Sequence, residues 1–307
     1  FNSNFNSPNS GEIIGFLSAL TIYLFSISNL SKLIVEAFDI PILYERVEPI
    51  FKSETESEEN RIYPLNLTGR ITFDRVSYRY NEKLPLVIDN ISISINPGEF
   101  VAVVGPSGSG KSTLAKLLLG LAEPEEGVIS FDSQPLNGLK LSAVRKQIGT
   151  VMQDSALFTS TVFENISGGR IISLEQAWEV AEKVGLANEI RSMPMGMQTL
   201  ISESGGALSG GQIQRIAIAR ALVSKPKIVI FDEATSSLDD KSQEEVTNTL
   251  DSLNITRIVI AHRLTTIKNA DKIIVLDKGQ VLQSGEIDKL SLDKEGLFYK
   301  LMNTQKE

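Results

Sequence analysis

An eight-residue segment, GPSGSGKS at residues 105–112, constrains the fold of this chain more than any other feature. It follows the apolar run FVAVVG at 100–105 and precedes the helix-like TLAKLLLG at 113–120. Glycines let such a loop curl so that successive backbone N–H groups point inward, and the helix adds the positive end of its dipole. A strand, an anion-binding loop and a helix in this order predict an α/β domain built on buried parallel strands.

The loop predicts a binding site for ATP with Mg²⁺. Lys111 can reach the β- and γ-phosphates as a point charge, and the hydroxyl of Ser112 can bind Mg²⁺. A chance Gly/Ser turn is the alternative, and the fitting strand and helix on either side disfavour it. The residues that we expect to contact the nucleotide are Gly105, Pro106, Ser107, Gly108, Ser109, Gly110, Lys111, Ser112 and Thr113.

Two carboxylates end a second apolar run, KIVIFDE at 227–233. Because neighbouring strand residues point in different directions, the two can hold different roles. We expect Asp232 to join the Mg²⁺ shell through water, and Glu233 to act as the base that polarises the attacking water. A polar strand end without chemistry is the alternative.

His262 and Gln153 follow two further strand-like runs. His262, the only histidine of the chain, ends RIVIAH at 257–262, where its imidazole can hold the γ-phosphate or the attacking water. A lone histidine is more often structural, but its place at a strand end favours the catalytic role. Gln153 follows IGTVM and is expected to contact Mg²⁺ or the water; an ordinary surface amide is the alternative.

Tyr80 closes the run ITFDRVSYRY at 71–80, which alternates like a half-buried strand, as does VIDNISISI at 87–95. The Tyr80 ring could stack on adenine, or it could pack on its neighbours, and Tyr78 is a competing candidate. A helix with a serine N-cap is predicted at 173–185.

The pentapeptide LSGGQ at 208–212 is a second Gly-rich turn that opens a helix. Such a turn is an anion-binding surface, yet the loop at 105–112 already supplies a cradle for the nucleotide of this subunit. The second turn therefore predicts a partner molecule whose nucleotide it contacts. The residues expected to do so are Ser209, Gly210, Gly211 and Gln212.

Composition excludes several other classes of function. The net charge of −8 and the pI near 5.0 argue against general nucleic-acid binding, which relies on basic surface. The sequence contains no cysteine, which excludes disulfides, thiolate metal sites and cysteine nucleophiles. A length of 307 residues suits one large or two modest domains, and the start at Phe1 indicates a piece of a longer protein.

Residues 13–30 form an 18-residue run without a charge. As a helix this run is about 27 Å long, close to the roughly 30 Å of a bilayer core, so a membrane span and a buried soluble helix both stay open. No basic segment accompanies it, which disfavours a signal peptide. The helical period continues to Pro41, and the acidic stretch SETESEEN at 53–60 is typical of a linker.

Together these motifs resemble the ATPase cassette of ABC proteins over about residues 69–305. The phosphate loop, the Gln153 loop, LSGGQ, the IVIFDE strand, SSLD at 236–239 and the His262 segment stand in that family's order. The resemblance implies a P-loop NTPase fold with a RecA-like α/β core, an antiparallel β lobe and a helical subdomain that carries LSGGQ. It also implies two cassettes paired head to tail around ATP, with Asp239 communicating across their interface.

A narrower resemblance is to exporters with membrane and ATPase domains in one chain, and among them to NHLM-type bacteriocin export proteins. The stretches that carry it are PILYERVEPI (41–50), ENISGG (164–169), MPMGMQT (193–199) and NITRIVIAHRL (254–264). It implies a cell-membrane protein with its cassette on the cytoplasmic side, a second cassette as partner (a copy or a different half-transporter) and an exported peptide.

The resemblance divides the chain into the end of a membrane domain at 1–50, with its last helix at about 13–38, a linker at 51–68 and the cassette at 69–305. Three other classes of ABC protein compete with an exporter. An importer's ATPase subunit begins at the cassette itself, and a ribosome-acting factor usually carries two cassettes. A DNA-repair type needs a coiled coil between Ser112 and Leu208, where this chain has only 95 residues.

Overall fold

The apolar runs of the sequence form the centre of a six-stranded sheet. The computed structural model describes residues 9–52, 56, 61–153, 155–201, 208–232, 240–261 and 264–304. The strands in chain order are β1 (Ile71–Tyr78), β2 (Ile88–Ile95), β3 (Phe100–Val104), β4 (Glu126–Phe131), β5 (Gln134–Pro135), β6 (Ile148–Val151), β7 (Ile228–Asp232), β8 (Thr256–Ile260), β9 (Lys272–Asp277) and β10 (Gln280–Gly285).

The six strands lie in the order β10-β9-β3-β8-β7-β6, and all pairs except β10 with β9 are parallel. The strands β3, β7 and β8 match the apolar runs predicted at 100–105, 227–233 and 257–262 to within two residues at each end. Every residue of β3 and β7 is buried, which explains why these runs are apolar throughout and do not alternate.

A second, antiparallel sheet has the order β2-β1-β4-β5. Its strands β1 and β2 alternate between buried and exposed positions over much of their length, as the sequence predicted. β4 and β5 were not recognised in the sequence, because the first three residues of β4 are exposed and β5 has only two residues.

The described chain also contains α-helices, which loops join to the strands, and short 3₁₀ turns at Leu136–Gly138 and Gly196–Gln198. The helices are α1 (Ser10–Lys52), α2 (Lys111–Leu118), α3 (Leu141–Lys146), α4 (Val162–Ser167), α5 (Leu174–Lys183), α6 (Ala187–Ser192), α7 (Gly210–Leu222), α8 (Asp240–Ser252), α9 (Leu264–Ile267), α10 (Ile287–Leu292) and α11 (Leu297–Thr304). The helices α4 to α7 contact one another, and α7 also lies against β6. They form the helical subdomain.

Two buried clusters share the parallel sheet. Phe100, Ala102 and Val104 of β3 belong to one cluster, which includes the apolar faces of the helical subdomain. The intervening Val101 and Val103 belong to the other cluster, which joins α2, α3 and the antiparallel sheet. The alternation of side chains along a strand therefore lets one buried strand serve both layers. The predicted fold, a P-loop α/β core with an antiparallel lobe and a helical subdomain, is confirmed.

The N-terminal helix α1 belongs to a separate compact unit, Phe1–Ser57, whereas the sheets lie in the unit Glu58–Glu307. None of the residues of α1 is buried, and it is long and apolar enough to cross a membrane, with a mean hydropathy of 1.8 over its best 18-residue window. The predicted helix at about 13–38 lies inside α1, but the expected end at Pro41 is wrong. The helix contains Pro41 and Pro49 and continues to Lys52, so each proline removes a backbone N–H donor without ending the helix.

Part of the predicted linker at 51–68 packs against the unit of the sheets. Ile62 pairs with Leu139 in a parallel bridge, and its N–H donates to the carbonyl of Gly138 at 2.8 Å. Leu67 is buried, and its N–H donates to Oε1 of Gln147 at 2.9 Å. The acidic stretch indicated the linker, but the backbone hydrogen bonds of Ile62 and Leu67 and the burial of Leu67 hold residues 62–67 to the folded unit.

Candidate nucleotide-binding site

The chain segments expected to carry the chemistry leave the parallel sheet at one edge. Strands β3, β8, β7 and β6 are neighbours and parallel, so their carboxyl ends meet at the same edge. The phosphate loop follows β3, Asp232 ends β7 and Gln153 lies two residues beyond β6. The carboxyl edge of a parallel sheet is the usual place of a ligand site in α/β proteins.

The phosphate loop at 105–112 holds a positive charge on its inner side. Lys111 is 6% exposed, and its ammonium donates to the carbonyl oxygens of Gly105 at 2.9 Å and Pro106 at 2.8 Å. The hydroxyl of Ser109 is buried without a hydrogen-bond partner among the described residues. A buried ammonium and an unsatisfied hydroxyl in one loop suit the charged oxygens of a phosphate chain, so the residues present fit ATP.

At two glycines of the loop, a larger residue would cause steric overlap or backbone strain. A Cβ at Gly105 would overlap the carbonyl oxygen of Leu276. Gly110 has φ +104, and a Cβ there would lie 2.8 Å from the carbonyl oxygen of Val87. Pro106, Ser107 and Gly108 lie on the more exposed part of the loop. Glycine is thus required where the loop meets the sheets.

The loop runs directly into α2, which carries Ser112 and Thr113 in its first turn. Ser112 is half-buried. Asp232 is 1% exposed at the end of β7, and α2 contacts β7. A hydroxyl and a carboxylate on neighbouring elements are hard oxygen ligands of the kind Mg²⁺ prefers, so both residues fit the predicted metal.

Tyr80 is tied to the helix that follows the loop. Its hydroxyl is 3.0 Å from Oγ1 of Thr113, and the residue is 52% exposed. The ammonium of Lys116 lies 5.6 Å from the Tyr80 ring centroid. The ring of Tyr78 meets that of Tyr80 edge-on, with 5.2 Å between the centroids. Burial and the neighbouring Tyr80 raise the pKa of Tyr78, and Lys116 opposes this. Of the two candidates, Tyr80 therefore has the exposed ring that a base could cover.

The remaining predicted site residues differ in how far the structure describes them. Gln153 lies just after β6 and is exposed, so its side chain is accessible to a ligand. Glu233, Asp239 and His262 lie outside the described residues, so their roles stay predictions. The strands that precede Glu233 and His262 in the sequence, β7 and β8, both end at the ligand edge of the sheet.

The second Gly-rich turn opens α7, as predicted, and it is held by a capping box. The N–H of Gln212 donates to Oγ of Ser209 at 3.2 Å, and the N–H of Ser209 donates to Oε1 of Gln212 at 2.9 Å. Ser209 and Gly210 are exposed, and Gly211 is half-buried. The start of a 13-residue helix thus faces solvent, where the positive end of its dipole is available to an anion.

Two residues around the turn at 208–212, called the signature turn below, were missed in the sequence. Glu189 of α6 accepts from Nε2 of Gln212 and from an Nη atom of Arg215, both at 2.6 Å. Arg215 is 7% exposed and also donates to the carbonyl of Gly185 at 2.9 Å. No local pattern marks Glu189, because its partners follow more than 20 residues later; the buried arginine within an apolar helix was the available signal.

Comparison with known proteins agrees with this geometry. A family model described as ABC transporter matches residues 88–236. The chain is 37% identical over 300 residues to the alpha-hemolysin translocation ATP-binding protein HlyB of Escherichia coli, covering 97% of this chain and 42% of that protein. It is 36% identical over 298 residues to the leukotoxin export ATP-binding protein LtxB of Aggregatibacter actinomycetemcomitans, covering 96% and 42%.

A similar solved structure is that of a bacterial Atm1-family ABC exporter with ATP bound. The TM-score is 0.80 at 35% sequence identity, and the match covers 86% of this chain and 47% of that one. The chain spans 42% of the length of the curated relatives named above. The motifs, the fold and these matches agree, and the matched region of this chain is an ATPase cassette of the ABC type.

Proposed function

We propose that this chain is the C-terminal part of an ABC exporter, whose cassette binds and hydrolyses ATP to drive export. The observation that carries the proposal is the presence of two anion-binding turns on different layers of one fold. The phosphate loop at 105–112 is positioned by the parallel sheet, and the turn at 208–212 by the helical subdomain. One turn serves the subunit's own nucleotide, and the other is available to a second cassette.

The proposed roles of the residues follow from their chemistry. ATP supplies the phosphoanhydride bond, and Mg²⁺ bound by Ser112, Asp232 and Gln153 would neutralise its charge. Lys111 holds the phosphate chain, and Tyr80 offers its exposed ring to the base. Glu233 accepts the proton of the attacking water, and His262 orients that water or the terminal phosphate.

The partner in this proposal is a second cassette, either a copy of this chain or a different half-transporter. Ser209, Gly210 and Gly211 of one cassette face the nucleotide held by the other, and Asp239 communicates across the interface. Exposure of Ser209 and Gly210 supports this, because an exposed turn is accessible to a nucleotide held by a second cassette. Closure of the pair on ATP and opening after hydrolysis would then drive the transport cycle.

The proposed location is the cell membrane, with α1 as the last membrane helix and the cassette in the cytoplasm. The exposed apolar surface of α1 supports a lipid-facing role, and it disfavours an importer's separate ATPase subunit. For the substrate we propose a polypeptide. The names of the relatives refer to alpha-hemolysin and leukotoxin, and the NHLM-like stretches favour a bacteriocin-type peptide.

The test is ATP hydrolysis by the full chain in detergent. We expect activity that needs Mg²⁺ and rises more steeply than linearly with protein concentration, because two cassettes form each site. Lys111→Ala should abolish nucleotide binding. Glu233→Gln should lower kcat by about 10²–10⁴-fold while ATP-dependent dimers persist.

The matched control is Glu286→Gln, which changes an exposed carboxylate paired with Lys289 far along the sequence from every motif. It should keep the activity of the unchanged chain. Hydrolysis at the parental rate by Glu233→Gln would remove the assigned base. A strictly linear dependence on protein concentration, with monomers at saturating ATP, would count against the paired site.

A further inference from the structure

One carboxylate, Glu189, joins the first turn of α7 to the rest of the helical subdomain. One of its oxygens accepts from Nε2 of Gln212 and the other from Arg215, each at 2.6 Å. Bonds between a carboxylate and charged or amide donors at this distance are short and strong. The carboxylate therefore fixes two side chains of α7 that lie one turn apart.

Gln212 uses both ends of its side-chain amide inside its own subunit. Its Oε1 closes the capping box by accepting from the N–H of Ser209 at 2.9 Å, and its Nε2 donates to Glu189. The same amide thus connects the exposed Ser209 to Glu189. A change at Glu189 reaches the exposed turn through one intervening side chain.

Arg215 gives the connection a second, buried support. Its side chain is 8% exposed and donates to the carbonyl oxygens of Gly185 at 2.9 Å and Gly211 at 3.4 Å. Gly211 belongs to the turn itself. Glu189 therefore acts on the turn along two routes, one through Gln212 to Ser209 and one through Arg215 to Gly211.

We propose that Glu189 is a positioning residue for the signature turn, and that Gln212 works as its link within the subunit and not as a ligand of the partner's nucleotide. This proposal rests on the proposed function, in which the turn contacts the nucleotide held by a second cassette. The bonded geometry leaves the backbone of Ser209, Gly210 and Gly211 as the surface offered to the phosphates. Misplacing such a surface by about 1 Å can cost about 100-fold in rate.

A second capping box in the same subdomain is a natural comparison. In α5 the N–H of Ser173 donates to Oε1 of Gln176 at 2.9 Å, and the N–H of Gln176 donates to Oγ of Ser173 at 3.2 Å, the same distances as at Ser209 and Gln212. Among the described residues, no carboxylate forms a hydrogen bond with Gln176. Any effect of Glu189 should therefore be confined to the box at the start of α7.

The first experiment is hydrogen exchange on the full chain in detergent without nucleotide, comparing Glu189→Gln with the unchanged protein. Glutamine keeps the volume and one acceptor, and Glu189 lines a cleft of about 870 Å³, so solvent reaches the site and the variant is expected to fold. The amide protons of Ser209 and Gln212 should exchange at least about tenfold faster, and those of Ser173 and Gln176 should not change. Unchanged exchange at Ser209 and Gln212 would overturn the proposal whether or not the protein hydrolyses ATP.

The second experiment measures ATP hydrolysis and nucleotide binding for the same variant. We expect kcat to fall about 10- to 100-fold, while the Kd for a fluorescent ATP analogue at the variant's own phosphate loop changes less than about twofold. Glu182→Gln removes a carboxylate that accepts from Arg191 at 2.7 Å in the same subdomain, and it should leave kcat within about twofold. An equal loss of kcat in both variants would refute a role specific to the signature turn.

A double-mutant cycle separates this proposal from the proposed function. If Glu189 acts partly through Gln212, the loss from Glu189→Gln should be clearly smaller in a Gln212→Ala background, with the route through Arg215 remaining; fully multiplied losses from the two changes would overturn the link through Gln212. If the unchanged protein neither hydrolyses ATP nor dimerises, the proposed function fails. The exchange result then still decides whether Glu189 positions the turn.

Discussion

Gly108 and Gly110 lie two residues apart in the phosphate loop, with φ angles of +76 and +104. The surroundings of a side chain at each would differ. Around Gly108 no heavy atom of the described residues lies within 4 Å of an added Cβ, whereas at Gly110 the Cβ would lie 2.8 Å from the carbonyl of Val87 and 2.9 Å from Ile88. Substitution by alanine at each of the two positions therefore separates the cost of backbone strain from the cost of steric overlap.

We therefore expect Gly110→Ala to lower the free energy of unfolding more than Gly108→Ala. The strain of a left-handed backbone costs about 1–2 kcal/mol at either position, and overlap with the β2 segment should add about 1–3 kcal/mol at Gly110. Urea unfolding of the full chain in detergent measures both. Equal losses would mean that the contact between the loop and β2 is looser than the distances indicate.

Residues could be predicted from the sequence where their chemistry follows from the next few positions along the chain. Lys111 and Ser112 are specified by the loop around them, and Asp232 by the strand that it ends. Glu189 could not be predicted, because it acts only after α6 and α7 have packed together. The choice between Tyr78 and Tyr80 likewise needed the contact with Thr113.

At the scale of elements, the same capping box occurs at the start of α5 and of α7, and only the second is proposed to face a nucleotide. Replacing the serine of either box should cost about 1 kcal/mol of stability, since each loses one bond to a backbone N–H. We expect Ser173→Ala to lower stability by this amount without lowering ATP hydrolysis. Ser209→Ala should also lower ATP hydrolysis by at least about tenfold, because its hydroxyl caps the turn whose backbone belongs to the composite site.

Thermal unfolding and steady-state ATP hydrolysis of the two variants distinguish a functional role of Ser209 from a purely structural one. Comparable losses of stability with different losses of activity would support a functional role for the cap of α7. Comparable losses of both would assign Ser209 a purely structural role, equivalent to that of Ser173.

Elements could be predicted where burial makes them uniform or strictly periodic. The wholly buried β3 and β7 are continuous apolar runs, and β2 shows a clear alternation. β4 was missed because exposed residues occupy its first half, and its place is decided by pairing with β1. β10 alternates only between exposed and half-buried positions and gains its register from β9.

At the scale of the whole molecule, the sequence predicted an apolar helix followed by a cassette but left the extent of the helix open. α1 has 43 residues, which corresponds to about 65 Å, roughly twice the thickness of a bilayer core. A bilayer can therefore cover only part of it. The charged residues Glu36, Asp39, Glu45 and Arg46 lie in the C-terminal half, so the uncharged segment at 13–30 is the part suited to lipid.

Membrane retention of the full chain tests whether α1 is embedded in lipid. The full chain expressed in bacteria should stay in the membrane pellet after carbonate extraction, and the double variant Leu20→Arg/Leu24→Arg should move to the supernatant. Each arginine near the centre of a spanning helix costs about 2.5–3.5 kcal/mol on insertion scales, enough together to oppose the apolar residues around it. Ile171→Arg, at a fully exposed site outside α1, adds a charge without changing the helix and should remain in the pellet. If the unchanged chain is extracted by carbonate, α1 does not anchor it, and the exposed apolar surface of α1 must be covered by protein instead of lipid.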